Sequence, residues 1–228
     1  MKIIVASNNQ HKISEIKNIL KDLNLSIYFL RECNINIDVV EDGHTFKENA
    51  YKKAEEIRKY LINIGEKDFI VMADDSGLEV EYLNKEPGVF SARYAGEHGN
   101  DDKNNEKLLE KLKDVKENDR NAEFICSIAL VDWTGKELFI EGRCKGIIAE
   151  KKQGNDGFGY DPLFYIPRLN KTFAQLTPEE KNRISHRGIA LKELKNKINI
   201  FLDLNNLEKI NFEIEKIQNE INNKKLKL

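Results

Sequence analysis

The stretch FIVMADDSGLEV, residues 69–80, constrains the fold of this chain more than any other. An unbroken apolar run needs burial on both faces, as a central strand of an α/β sheet has. The strand is expected at Asp68 to Ala73, ending in Asp74-Asp75 on a tight turn through Ser76-Gly77. Two neighbouring carboxylates repel unless a cation or proton lies between them. Ligands in open α/β sheets gather at the carboxyl ends of strands. The pair therefore reads in two ways. It is either part of a site for a hard cation such as Mg²⁺, which binds carboxylate and phosphate oxygens together, or an acidic cap on a turn. Side chains alternate along a strand, so one of the two acids is expected to face the site. A nucleophile of the Asp-x-Asp type is not supplied by Asp74-Asp75-Ser76.

Patterns on either side supply a frame. Lys2 to Ala6 is β-branched and reads as a strand. Ser7-Asn8-Asn9-Gln10-His11-Lys12 is polar loop, and Ile13, Ile16, Ile19, Leu20 and Leu23 then recur at helical spacing. A strand is expected at Leu25 to Leu30, and helices at Thr45 to Ile64 and Asn104 to Leu112. The first of those helices has Phe46, Ala50, Ala54, Ile57 and Leu61 on one face. Glu123 to Asp132 and Glu137 to Cys144 read as strands joined at Thr134-Gly135. Gly154 to Pro162 is loop, and Thr177 to Leu194 is a helix with an N-cap Thr and Pro at its first position. This order predicts an α/β fold, a mixed central sheet flanked by helices, in one domain over residues 1–200. In the tail, Leu207, Ile210, Ile214, Ile217 and Ile221 form a heptad-like stripe. Residues 205–228 are read as an extra C-terminal helix, packed on its own domain or on a partner.

Charge narrows the partners. Lys and Arg number 37 against 39 Asp and Glu, a net charge of -2, which provides no field for nucleic acid or an anionic membrane. No apolar run approaches the ~20 residues of a membrane span, and MKIIVASNNQHK lacks a signal-peptide pattern. Cys33, Cys126 and Cys144 show neither metal spacing nor a disulfide framework. The expectation is a cytoplasmic protein with reduced thiols and no nucleic-acid or membrane partner.

Further stretches carry chemistry. The loop from Ser7 to Lys12 leads into a helix N-terminus, where backbone N–H groups attract anions and Lys12 adds a charge for phosphate. The same residues also fit a capped turn with a solvated lysine. Glu41-Asp42-Gly43 is either helix-entry charge or a second source of metal-binding carboxylate. GNDGFGYDP, residues 154–162, crowds glycines, aromatics and acids together. Glycine lets backbone approach a flat ligand, Phe158 or Tyr160 would stack on a base, and Asp161 would accept its hydrogen bonds. A bulged hairpin with core aromatics is the alternative. Lys181, His186 and Arg187 are donors suited to phosphate or base oxygens, although a solvated helix face is the rule for most of Lys171, Lys181 and Arg183.

Six motifs occur in order. They are Ala6 to Lys12, Glu41 to Ala50, Ala73 to Leu78, Pro87-Gly88-Val89 with Ser91 to Tyr94, Gly157 to Pro162, and Ser185 to Gly188. With them the chain resembles the inosine triphosphate pyrophosphatase family, in its bacterial non-canonical purine form, from about Lys2 to Leu194. The resemblance implies Mg²⁺-dependent hydrolysis of the nucleoside triphosphates ITP, dITP and XTP to monophosphate and pyrophosphate. It also implies an elongated two-lobed fold with the active site in the cleft, and a homodimer. Asp75 would be general base and metal ligand, Glu41 a second metal ligand, and Lys12 a catalytic phosphate contact. Ser7, Asn8, Asn9, Gln10 and His11 would meet the triphosphate. Ser76, Phe158, Gly159, Tyr160, Asp161, Lys181, His186 and Arg187 would line the nucleotide pocket. Whether Glu41 or Asp42 faces the metal stays open. The rivals are a Maf-type pyrophosphatase, whose sequences lack the Phe-Gly-Tyr-Asp and Ser-His-Arg runs, and a non-catalytic nucleotide- or RNA-binding module.

Overall fold

In the computed structural model, which describes residues 2–23 and 25–203, the apolar run does not stop at Ala73. Strand β3 spans Phe69–Val80, so Asp74 and Asp75 lie in mid-strand rather than on a turn, a correction to the expected boundary. The cause is its neighbour. Strand β4, Asn121–Asp132, runs antiparallel to it from Ile70↔Asp132 to Val80↔Ala122, with Asp75 opposite Ser127. A continuous ladder satisfies the backbone along that side and outweighs the turn preference of Asp-Ser-Gly.

The other edge of β3 is only half covered. Strand β1, Lys2–Val5, pairs parallel with it from Lys2↔Phe69 to Val5↔Met72 and ends there. Among the described residues no strand lies beside Asp74 to Ser76 on that edge. Strand β2 is Ser26–Phe29, β5 Glu137–Ile148, β6 Phe164–Ile166 and β7 Lys171–Thr172. Together they form a seven-stranded sheet in the order β2-β1-β3-β4-β5-β6-β7; its mixed pairing agrees with the predicted class, while the short strands β6 and β7 were not among those expected.

Two hydrophobic cores use opposite ends of the β3–β4 pair. One gathers Val71, Ala73, Ala129 and Val131 with Ala50, Ala54, Ile57 and Leu61 of helix α2. The other gathers Leu78, Val80, Ala122 and Phe124 with Leu108, Leu112, Phe164 and Phe173. Asp74 to Gly77 lie between them. Gly77 has no room for a side chain, since a Cβ would come within 2.7 Å of the Gly88 carbonyl oxygen and 2.3 Å of Ser91 Oγ.

The helices follow their caps. Helix α1 is Gln10–Leu20, and α2 is Phe46–Asn63, entered through Thr45, whose hydroxyl accepts the Glu48 N–H. Helix α3 is Asp101–Lys111, starting ahead of the expected Asn104 because Asn100 caps it and two acids complement its first turn. The helix expected from Thr177 to Leu194 is two. Helix α4, Pro178–Ile184, ends at Ser185, whose backbone is extended at φ -71 and ψ 156, and helix resumes over 186–203. Ser185 Oγ accepts the Gly188 N–H at 3.1 Å, so the serine caps the restart.

Residues 1–192 form one compact unit and 193–228 another, of which the described part, 193–203, is helical. The helix expected over 205–228 lies outside the described residues. Among the described residues no helix is long and apolar enough to cross a membrane. Cys126 and Cys144 are buried, Cys33 partly so, and all three are free thiols.

One buried cation is structural. Arg120 is 3% exposed and donates to the carbonyls of Val115 at 3.0 Å, Leu112 at 2.5 Å, Ala149 at 3.3 Å and Ile148 at 3.5 Å. It ties the end of α3 to the end of β5. Replacing Arg120 by Leu strands these acceptors and is expected to cost about 3 kcal/mol. A lower urea midpoint with an unchanged denaturant slope is the measurement.

Candidate active site

Because β1 stops at Val5, both faces and the bare edge of β3 open onto one cavity of about 600 Å³. Asp74 and Asp75 both line it, although alternation sends them to opposite sides of the strand. The expectation that one acid faces the site is therefore corrected: an uncovered strand edge exposes both to the same space.

Asp74 meets cations from two directions. Lys12 Nζ lies 3.0 Å from its Oδ2, and the Arg187 guanidinium reaches the same oxygen at 3.2 Å. Burial raises the Asp74 carboxyl, but Lys12 and Arg187 outweigh it and hold the group far below the usual carboxylate range. Arg187 is itself buried, donating also to Glu15 at 2.5 Å and Ser76 Oγ at 2.6 Å. Each of its three nitrogens thus has a protein acceptor.

Asp75 has a different set. Its Oδ2 accepts from Asn49 Nδ2 at 3.0 Å, its Oδ1 from the Ser76 N–H at 2.9 Å, and Lys53 Nζ stands 3.7 Å away. The same ammonium lies 2.8 Å from Glu41 Oε1. Burial pushes the Asp75 carboxyl up, Lys53 and Lys12 pull against it, and Glu41 adds to the rise. Asp42 is exposed and pairs with Lys52 at 2.6 Å, so of the two neighbours it is Glu41 that lines the cavity. Two carboxylates converging on one ammonium mark a place built for positive charge. Among the described residues no three His, Cys or acidic side chains form a full metal cage. The donor set therefore fits a hard divalent ion that takes its other ligands from phosphate and water.

The first loop lies along the same cavity through Ser7, Asn8, Asn9 and Lys12. Asn9 caps α1, its Oδ1 accepting from His11 N at 3.0 Å and Lys12 N at 3.1 Å, which aims Lys12 at Asp74. Gln10 and His11 do not line it. Gln10 is exposed, and His11 stacks on Phe158 with ring centroids 4.9 Å apart, beside a second cavity of about 280 Å³.

The glycine-rich loop closes the cavity with Phe158, Gly159, Tyr160 and Asp161. Tyr160 is largely buried and donates to the Ser91 carbonyl at 2.9 Å, while Phe158 is only partly buried and carries His11 and the Lys181 ammonium against its ring. Lys181 is buried rather than solvated, 2.6 Å from Asp161 Oδ2 and 3.1 Å from Glu15, with its ammonium over the Phe158 ring. Arg183 is exposed, as a solvated helix face requires. His186 is buried and stacked on Phe124 at 4.6 Å. Its Nδ1 and the Asp74 Oδ1 are buried without a hydrogen-bond partner among the described residues, and both residues line the cavity. These are polar groups whose hydrogen bonds no described protein atom supplies.

Sequence reasoning passed over Asn49, Lys53 and Glu15. A signal existed for two of them. Asn49 and Lys53 fall on the apolar stripe of α2 with Phe46, Ala50 and Ile57, where a polar residue needs a buried partner. Glu15 carries no such mark.

Burial, with Arg187 and Lys181 nearby, holds His186 well below the ordinary histidine value, so it stays neutral when folded. An unfolded histidine takes up a proton below about pH 6.5. The contribution to stability is therefore present above that pH and lost as pH falls. The difference in unfolding free energy between the wild type and His186→Phe should rise by about 1.4 kcal/mol per pH unit between about pH 5 and 6, then level off above about pH 7. Urea titrations at several pH values check this.

Comparison with known proteins agrees with the geometry. The sequence pattern of the Ham1 family matches residues 3–197. The dITP/XTP pyrophosphatase of Clostridium perfringens is 63% identical over 197 residues, 86% of this chain and 97% of that protein. That of Clostridium tetani is 47% identical over 201 residues, 88% and 98% of the two chains. The structure of the Staphylococcus aureus Ham1 protein superposes with a TM-score of 0.77 at 45% identity, covering 87% of this chain and 98% of that one. A family pattern spanning the sheet, the acid pair and the buried donors leads to one conclusion: this chain belongs to the Ham1 family.

Proposed function

We propose that the chain hydrolyses non-canonical purine nucleoside triphosphates, ITP, dITP and XTP, to the monophosphate and pyrophosphate. The observation that carries this is the convergence of Glu41 and Asp75 on Lys53, across one cavity from Lys12 and the first loop. The relatives named above as dITP/XTP pyrophosphatases support it.

Triphosphate oxygens repel an incoming nucleophile. Lys12 and Lys53 place positive charge on either side of the acid pair to offset that repulsion. Glu41 and Asp75 would hold Mg²⁺, which when bound neutralises phosphate oxygens and orients the phosphate. Asp75 accepts the proton of a water aimed at the α-phosphorus. Asp74, held ionised by Lys12 and Arg187, keeps Lys12 in place. Ser7, Asn8 and Asn9 border the phosphates, and a base reaches the face of Phe158 only if His11 or Lys181 gives way.

Base choice follows from hydrogen-bond pattern. A 6-oxo purine presents an acceptor at position 6, and adenine a donor. Because the Arg187 nitrogens are engaged, His186 Nδ1 is the free atom of that segment; as an N–H it would bond to the oxo group. A buried site of this type rejects the wrong pattern by about 10⁴ or more. The resemblance adds a homodimer.

Pyrophosphate release from a nucleotide panel tests the reading. ITP and XTP should exceed ATP in kcat/KM through the 6-oxo contact, and should exceed GTP, which shares that oxo group, only through rejection of its 2-amino group. Chelation of divalent ions should abolish turnover. Asp75→Asn should lose about 10³-fold in kcat while retaining nucleotide binding. Equal kcat/KM across the four nucleotides, or an undiminished Asp75→Asn enzyme, defeats it.

A further inference from the structure

Glu41 and Asp75 reach the cavity from different parts of the chain, a loop ahead of α2 and the middle of β3. Their relative position therefore depends on whatever joins the two segments. One side chain joins them directly. Asn49, in the first turns of α2, is 0% exposed and does not line the cavity. Its Oδ1 accepts the Gly43 N–H at 2.8 Å, two residues beyond Glu41, and its Nδ2 donates to Asp75 Oδ2 at 3.0 Å. The amide orientation follows from the chemistry, because a backbone N–H needs an acceptor and a carboxylate needs a donor. We propose that Asn49 is a positioning residue, a planar brace that fixes the general base and the Glu41 loop relative to each other.

The surroundings show what the brace does. Asp75 Oδ1 is already held by the Ser76 N–H at 2.9 Å, so the bond from Asn49 to Oδ2 fixes the plane of the carboxylate. Without it the group is free to swing about its Cβ, and the oxygen facing the reacting water is no longer defined. At the other end, Gly43 is required. A Cβ there would stand 2.7 Å from Asn49 Oδ1 and 2.9 Å from Glu48 Cβ, so only glycine lets the loop close on the amide. Lys53, one turn along the same helix, touches both Glu41 and Asp75 with its ammonium. Helix α2 thus carries two adjacent supports for the pair, one neutral and rigid, one charged. A buried amide is costlier in a helix core than an apolar residue of the same size. At this position it answers a polar requirement that packing alone does not create.

The inference rests on the reading of Asp75 as general base, and its test keeps the two apart. Full-length Asn49→Asp retains an acceptor for Gly43 but loses the donor to Asp75, and Asn49→Leu loses both. Each should lower kcat for ITP about 10- to 100-fold with KM changed less than about threefold. Mn²⁺ binding without nucleotide, read by electron paramagnetic resonance, should weaken about tenfold in Asn49→Leu. A folded variant of either kind with kcat within about threefold of wild type overturns the proposal. In the wild type, the Asn49 side-chain amide should be protected from hydrogen exchange and shift in NMR spectra when Mg²⁺ is added. An unprotected, unmoved resonance overturns it even where the variants do not fold. Asp75→Asn serves as the control. If it keeps turnover, the general-base reading fails; if it loses turnover while the Asn49 variants keep theirs, the brace alone falls.

Discussion

Two carboxylates on adjacent residues of a buried strand are the constraint from which the rest of this structure follows. Isolated ionised groups in a protein interior cost several kcal/mol each unless paired. Asp74 and Asp75 point to opposite sides of β3, so no single cation serves both at short range. Asp74 draws in Lys12 from α1 and Arg187 from the segment after Ser185, while Asp75 draws in Asn49 and Lys53 from α2. The placement of these elements around the strand is in large part the solution of one charge-burial problem.

The break at Ser185 belongs to the same solution. A helix continuous from Pro178 would send Lys181 and Arg187 about 600° apart in rotation along one cylinder, toward different faces. With the restart after Ser185, Lys181 pairs with Asp161 and Arg187 with Asp74, and Glu15 bridges the two cations. The polar site also lies where the two hydrophobic cores end along β3 and β4. Charges there share strands with two well-packed regions, which holds them with little freedom while the cavity stays open between them.

Much of this was legible in the amino-acid order. The extents of β1, β2 and α2 follow from β-branching, helical spacing and a threonine cap, within a residue or so of what is observed. The site residues were legible as types in motifs: Lys12 behind a helix cap, Phe158 among glycines, His186 and Arg187 in tandem. Other features were not. The end of β3 was misjudged because Asp-Ser-Gly favours a turn locally, and only the β4 ladder reverses that preference. Gln10 and His11 fall outside the main cavity because Asn9 caps α1, which turns the next residues away from it. Glu15 was invisible, since an acid on a predicted amphipathic helix looks solvated until the buried cations it serves are placed.

By itself the sequence determined most of the strands and helices, the mixed α/β class, and the inventory of acids, cations and aromatics that any site must use. Periodicity, capping and turn chemistry act between residues a few positions apart, so a linear reading suffices for them. Tertiary structure decided which members of that inventory meet. It made Glu41 rather than Asp42 the cavity acid, brought both Asp74 and Asp75 to one space, and turned Asn49 and Lys53 inward. Those choices depend on where β1 stops beside β3 and on pairing energies between groups distant in sequence, quantities that exist only once the chain has folded.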